Sequence, residues 1–160
     1  MSDAHLVHAD LTRKIIGVFY QVFRELRSGF DESVYHTSMH VALTQAGLSV
    51  ESEVPIAVHF RELVVGRFRA DLIVEDQVVV ECKAAEKIHP AHKSQVLNYL
   101  AGTELEVGLV LNFGHIPTFA RVFNPDVRRR EHESRGHIWT PTCASDASSL
   151  QSPRSRADFS

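Results

Sequence analysis

The chain has 160 residues, 44% hydrophobic and 23% charged. That fits one globular domain, long enough to bury roughly 68–70% of its unfolded surface. The net charge of −3 and pI near 6.3 exclude the overall basic footprint of many nucleic-acid binders, so holding a polyanion would need a local basic face or a bound cation. No apolar stretch approaches the ~20 residues needed to span a bilayer, and the first ten residues lack the basic start and apolar run of a signal peptide. The two cysteines, Cys82 and Cys143, share no short spacing, which argues against a thiolate metal site and for reduced thiols in a cytoplasmic protein.

The first predicted element is a helix over 11–26. Ile15, Ile16, Phe19, Tyr20, Val22, Phe23 and Leu26 recur at three- and four-residue steps, Asp10 is placed to cap it, and Ser28-Gly29 is placed to end it. A second helix is expected over 31–45, with Val34, Met39, Val41, Ala42 and Leu43 as its apolar side and Gly47 as its stop. The period then shifts toward two. Strands are expected over 54–60 and 63–74 with a turn at Arg61-Glu62. After a second turn at 75–77, residues 78–84 form a nearly all-apolar strand suited to the centre of a sheet, buried on both faces. Pro90 opens a third helix to about residue 100, a buried strand covers 107–113, and an edge strand covers 118–123. The order is helix, helix, three strands, helix, two strands, over a domain of residues 8–123. Residues 124–160 are rich in Ser, Arg and Pro and read as a polar, flexible tail.

Side chains alternate along a strand, so Arg67, Arg69 and Asp71 would share one face, as would Glu81 and Lys83 on the next strand. A simple hairpin register sets Asp71 beside Glu81. Two readings stand: a plain ion pair on a wet sheet face, or carboxylates gathered around a divalent cation. The apolar neighbours Val78, Val79, Val80 and Cys82 favour the second, because a buried charge is costly without a partner or a metal. Magnesium takes oxygen ligands and retains several waters, so one or two carboxylates suffice. A lysine alongside can steady developing negative charge.

These residues carry a family resemblance. Asp71 with Glu81-Cys82-Lys83 resembles the D…(D/E)-x-K signature of the PD-(D/E)XK nucleases. Gly29-Phe30-Asp31-Glu32-Ser33-Val34-Tyr35 is similar to the pattern that names the GxxExxY protein family, a branch of that superfamily. Further stretches over 11–17, 69–72, 90–92, 95–100 and 108–114 are also similar, so the resemblance spans about residues 11–123. Ala70 stands where the superfamily's name has proline. The resemblance implies a restriction-endonuclease-like α/β core, with a mixed central sheet of about five strands flanked by helices in the order ααβββαββ. It implies a nuclease hydrolysing phosphodiester bonds in DNA or RNA with Mg²⁺ or Mn²⁺. Glu32, Asp71 and Glu81 would hold the metal, joined by the Cys82 backbone carbonyl, and Lys83 would be the catalytic lysine. Gln95 and Tyr99 resemble the Q-x-x-x-Y motif of RecB-type nucleases, and their i, i+4 spacing puts both on one helix face, toward the site or the substrate backbone. Arg69 is read either as an ion-pair partner of the acids or as a phosphate clamp.

On spacing alone, Glu32 is a first-turn acid complementing the helix dipole and Tyr35 a packed tyrosine; only the resemblance makes them functional. The His5/His8 and His89/His92 pairs lack a nearby third ligand and are read as solvated. Arg128 to Arg130, Arg154 and Arg156 are read as solubility features of the tail. The competing reading is a non-catalytic nuclease-fold module that binds nucleic acid or a protein partner. A homodimer stays open, since a domain this small offers little surface for gripping a duplex.

Overall fold

The computed structural model describes residues 7–124 and Asp126. His5, Cys143 and, apart from Asn124 and Asp126, the expected tail lie outside the described residues. Three helices and five strands follow in order: α1 (Ala9–Leu26), α2 (Glu32–Gln45), β1 (Val50–Phe60), β2 (Leu63–Val74), β3 (Val78–Lys83), α3 (Pro90–Ala101), β4 (Val107–Asn112) and β5 (Thr118–Phe123). Every expected element is present in the expected order, with ends shifted by a few residues. Among the described residues no helix is long and apolar enough to cross a membrane.

The sheet order is β1-β2-β3-β4-β5. Consecutive neighbours run antiparallel except β3 and β4, which are parallel and joined through α3. β3 is the central strand and β5 an edge, as their composition predicts. Val78, Val80 and Cys82 of β3 enter the core under α1 and α2, with Ile15, Phe19, Tyr35, Met39 and Leu43. Val79 enters a second core under α3, with Val96, Tyr99 and Leu100. A strand with a core on each face has no wet side, which is why its sequence shows no alternation.

Three local expectations are corrected. α1 starts at Ala9, so Asp10 lies in its first turn and pairs with Arg13 at 3.2 Å instead of capping. The residue that leaves α1 with positive φ is Arg27, at 62°, and Gly29 follows at 119°. In α2 the buried residues are Tyr35, Met39 and Leu43, one i, i+4 row, whereas Val41 is exposed. Positions 39 and 41 are about 200° apart on a helix, so the apolar set read from sequence spans more than one face.

Two features of the β1–β2 hairpin matter for the site. Pairing between β1 and β2 continues to Phe60↔Leu63, while β2 pairs with β3 only through Leu72, Ile73 and Val74. The outer half of the hairpin therefore extends beyond the sheet as an arm, closed by the expected Arg61-Glu62 turn. The alternation of β2 also breaks at Asp71. Ala70 and Ile73 pack in the α3 core, whereas Leu72 and Val74 pack in the α1/α2 core. On β1, Glu53 takes φ 52° and is skipped in the pairing between Ser52↔Leu72 and Val54↔Ala70. The face expected to run unbroken through Arg67, Arg69 and Asp71 is thus interrupted at the acid.

Candidate metal centre

Asp71 lies near the inner end of β2, Glu81 and Lys83 at the end of β3, and Glu32 on the first turn of α2. One ligand oxygen from each of Glu32, Asp71 and Glu81 lies within 4.8 Å of the others. Among the described residues this is the group of acids, histidines and cysteines able to share a cation. Lys83 Nζ donates to Glu81 Oε1 at 2.7 Å and to Glu32 Oε1 at 3.2 Å. The sequence-predicted set Glu32, Asp71, Glu81 and Lys83 is therefore brought together.

Each acid is held by its own device. Glu32 depends on the turn between α1 and α2. Gly29 takes a φ of 119°, a region side-chain-bearing residues rarely adopt. Tyr35, fully buried, donates its hydroxyl to the Arg27 carbonyl at 2.7 Å and accepts the Phe30 N–H at 3.2 Å. Its ring stacks on Phe113, with centroids 4.3 Å apart. The glycine and tyrosine of the G-x-x-E-x-x-Y stretch thus fix the turn that presents Glu32. Asp71 Oδ2 accepts the Cys82 N–H at 2.8 Å, tying the acid to the next strand. Its carbonyl lies 3.0 Å from His36 Nε2, which is also 3.0 Å from Ser52 Oγ.

The end of β3 is held by Asn112, a fully buried polar residue. Its Oδ1 accepts the Ala85 N–H and its Nδ2 donates to the Ala85 carbonyl, each at 2.9 Å. The Phe113 N–H donates to the Lys83 carbonyl at 2.7 Å. His36 and Asn112 were not singled out from sequence. An asparagine closing an all-apolar strand was the available signal for the second. Nothing local marks the first.

The electrostatics follow from burial. Desolvation, then the charge of Asp71, pushes the Glu81 carboxyl up to about 7, against the opposing bond from Lys83. Desolvation also raises Asp71, partly offset by the Cys82 N–H. Burial pulls Lys83 down, but its bond to Glu81 and the charges of Glu81 and Glu32 outweigh this and leave the ammonium above its ordinary value. Glu81 Oε2 is buried and has no hydrogen-bond partner among the described residues. An orphaned buried oxygen costs about 1–3 kcal/mol, more when charged, and a cation would satisfy it. Three carboxylates are hard donors of the kind Mg²⁺ and Mn²⁺ take, so the residues fit a divalent ion. The Cys82 thiol packs in the α1/α2 core, and burial raises it well above its ordinary value. That leaves its backbone, not its sulfur, for any role in the site.

α3 flanks the cluster. Gln95 Nε2 donates to the Tyr99 hydroxyl at 2.5 Å, confirming their shared face. Desolvation and then the charge of Glu81 raise Tyr99. His92 is lowered by desolvation and by the charge of Lys83. His89 and His92 join the helix start, with the His89 N–H on His92 Nδ1 at 3.2 Å. Arg69 pairs with Glu53 at 3.8 Å, both side chains largely exposed.

A family model described as PD-(D/E)XK nuclease superfamily matches residues 9–123. The chain belongs to the PD-(D/E)XK nuclease superfamily. Its fold is the restriction-endonuclease-like α/β core of that superfamily, a mixed five-stranded sheet with helices on both faces. Two solved structures are similar to it. One is the crystal structure of SSO0001, with TM-score 0.48 and 19% identity over 65% of this chain and 57% of the other. The second is an alkaline exonuclease from Laribacter hongkongensis, with TM-score 0.43 and 16% identity over 59% of this chain and 57% of the other. The match therefore spans under two thirds of either structure. No curated protein matches the chain.

Proposed function

We propose that this superfamily member is a divalent-metal-dependent nuclease of the GxxExxY branch, hydrolysing phosphodiester bonds in DNA or RNA with Mg²⁺ or Mn²⁺. One observation carries the reading: three carboxylates from a helix and two strands converge within 4.8 Å, one buried oxygen lacks a partner among the described residues, and an ammonium lies at their edge. Glu32, Asp71 and Glu81 would hold the ion, with the Cys82 carbonyl as a further oxygen. When bound, such an ion supplies Lewis-acid activation of water and of the phosphoryl oxygen.

The chain's own groups do the rest. Asp71 and Glu81 are held by the Cys82 N–H and by Lys83, so the site is organised before a ligand arrives. Lys83 stays protonated, and its ammonium would face the charge that builds on the phosphate in the transition state. The Gln95–Tyr99 pair would orient the substrate backbone from α3, and Arg69 would meet a neighbouring phosphate after leaving Glu53. A cytoplasmic location goes with this reading.

The test is cleavage of labelled DNA and RNA with Mg²⁺, Mn²⁺ or chelator. Asp71→Ala, Glu81→Ala and Lys83→Ala should each abolish cleavage while the far-ultraviolet circular dichroism persists. Cleavage retained by the Asp71→Ala/Glu81→Ala double variant would remove the mechanism. The second reading, a non-catalytic binding module for nucleic acid or a protein partner, draws on the mildly acidic net charge. Calorimetric titration separates the two, since the enzyme reading requires Mn²⁺ binding that depends on Asp71 and Glu81.

A further inference from the structure

The acidic cluster repels a polyanion, so a nuclease built on it needs a cationic grip elsewhere. The outer β1–β2 arm carries Arg61, Arg67 and Arg69 against Glu62 within residues 55–70, with Arg69 paired to Glu53 at its base, in a chain whose net charge is −3. The same arm exposes large apolar side chains: Phe60 at 61%, Leu63 at 70% and Val65 at 61%. Arg61 lies over the Phe60 ring, 5.2 Å from its centroid. The arm's base is anchored beside the site, where Phe68 packs edge-on against Tyr99 with centroids 6.1 Å apart.

We infer that this arm is a duplex-binding ribbon that lies along the nucleic acid next to the acidic cluster. The inference rests on the nuclease reading of that cluster. Three observations support it. First, a two-stranded antiparallel ribbon is of a size that the major groove of a duplex, about 12 Å wide, admits. Second, the reach is suitable. At about 3.3 Å per strand residue, Arg67 stands roughly 13 Å from Asp71 and Leu63 roughly 26 Å, about three quarters of a duplex turn of about 34 Å. Third, the chemistry is mixed in the required way. Arginines suit phosphates and guanine edges, whereas apolar side chains meet thymine methyl groups in the major groove. A purely cationic arm would lack the second component, and the dimer reading of the same face is an outcome of the test below.

The test uses the full chain, a fluorescein-labelled duplex of about three turns and fluorescence anisotropy in chelator, where cleavage is blocked. An Arg61→Gln/Arg67→Gln variant should bind at least about tenfold more weakly, with the log–log salt dependence flattened by about 2, because each phosphate contact contributes about 0.9. Phe60→Ser/Leu63→Ser should also weaken binding but leave the salt slope unchanged. Both pairs are exposed and outside the carboxylate cluster, so Mn²⁺ titration should match the parent chain. Duplex affinity unchanged in both variants would overturn the inference. So would a parent chain that sediments as a dimer, which Phe60→Ser/Leu63→Ser turns into a monomer with duplex affinity intact; the face would then belong to a second copy. If the parent chain binds no Mn²⁺, the nuclease reading falls, while the anisotropy series still judges the arm.

Discussion

The carboxyl of Glu81 makes the metal-free protein lose stability as pH rises, contrary to the usual behaviour of a paired acid. Its folded value of about 7 stands above the ordinary 4.5. Between those two values the native state holds a proton that the unfolded chain releases, so stability falls with rising pH. The full contribution is present below about pH 4.5 and is lost by the time pH passes 7. At about 1.4 kcal/mol per pH unit, the loss is about 3–4 kcal/mol. Asp71, also raised, acts in the same direction. His92, lowered, acts oppositely and offsets part of the slope. Lys83, raised above its ordinary value, changes stability only in strongly alkaline solution. Thermal melts in chelator from pH 5 to 8 should show Tm falling by roughly 10 °C, on a few degrees per kcal/mol. Glu81→Gln keeps the shape, removes the titration and should flatten the profile. Saturating Mn²⁺ should flatten it too, by favouring the carboxylate. A parent profile that is level or rising across this window would refute the burial argument, as would a Glu81→Gln profile as steep as the parent's.

Three further outcomes follow from the supports of the site. Asn112→Ala strands the N–H and carbonyl of Ala85 and should cost about 2–4 kcal/mol in urea unfolding; a cost under about 1 kcal/mol would show that the side-chain clamp on Ala85 is dispensable. Tyr35→Phe keeps the stack on Phe113 but drops the bonds to Arg27 and Phe30. It should cost about 1–2 kcal/mol and weaken Mn²⁺ binding in calorimetry through a looser Glu32, and unchanged metal affinity would detach Tyr35 from the site. Gly114→Ala puts a Cβ 2.2 Å from the Ala85 carbonyl oxygen. A main-chain atom cannot swing aside like a side chain, so this variant should melt well below the parent, and equal melting would discount the close approach.

Much of this was open to reading along the chain. The eight elements follow from hydrophobic period and turn residues, because helices and strands here have distinct apolar spacings. The approach of Asp71 to Glu81 follows because a short turn at 75–77 leaves little freedom of register. What escaped depended on distance in the fold. His36 meets Asp71 from 35 residues away and Asn112 meets Ala85 from 27, and no local pattern encodes either approach. The break in alternation at Asp71 escaped for a different reason. Alternation holds only for a regular strand, and the irregularity lies on the partner strand, at Glu53. The place of Glu32 was carried by the motif alone, since spacing along a helix cannot tell a dipole-complementing acid from a ligand.

The placement of β3 has a consequence for how the protein would fail. Its residues are wedged between two cores, and the Cys82 amide proton is shared with the Asp71 carboxylate. A strand so enclosed opens only when the whole domain does. The arrangement of the clustered carboxylates should therefore survive fraying of the termini and of the outer hairpin, and be lost in a single cooperative event. In hydrogen exchange the Cys82 amide would be among the last to take up deuterium, serving as a native gauge of whether the acidic cluster is still assembled.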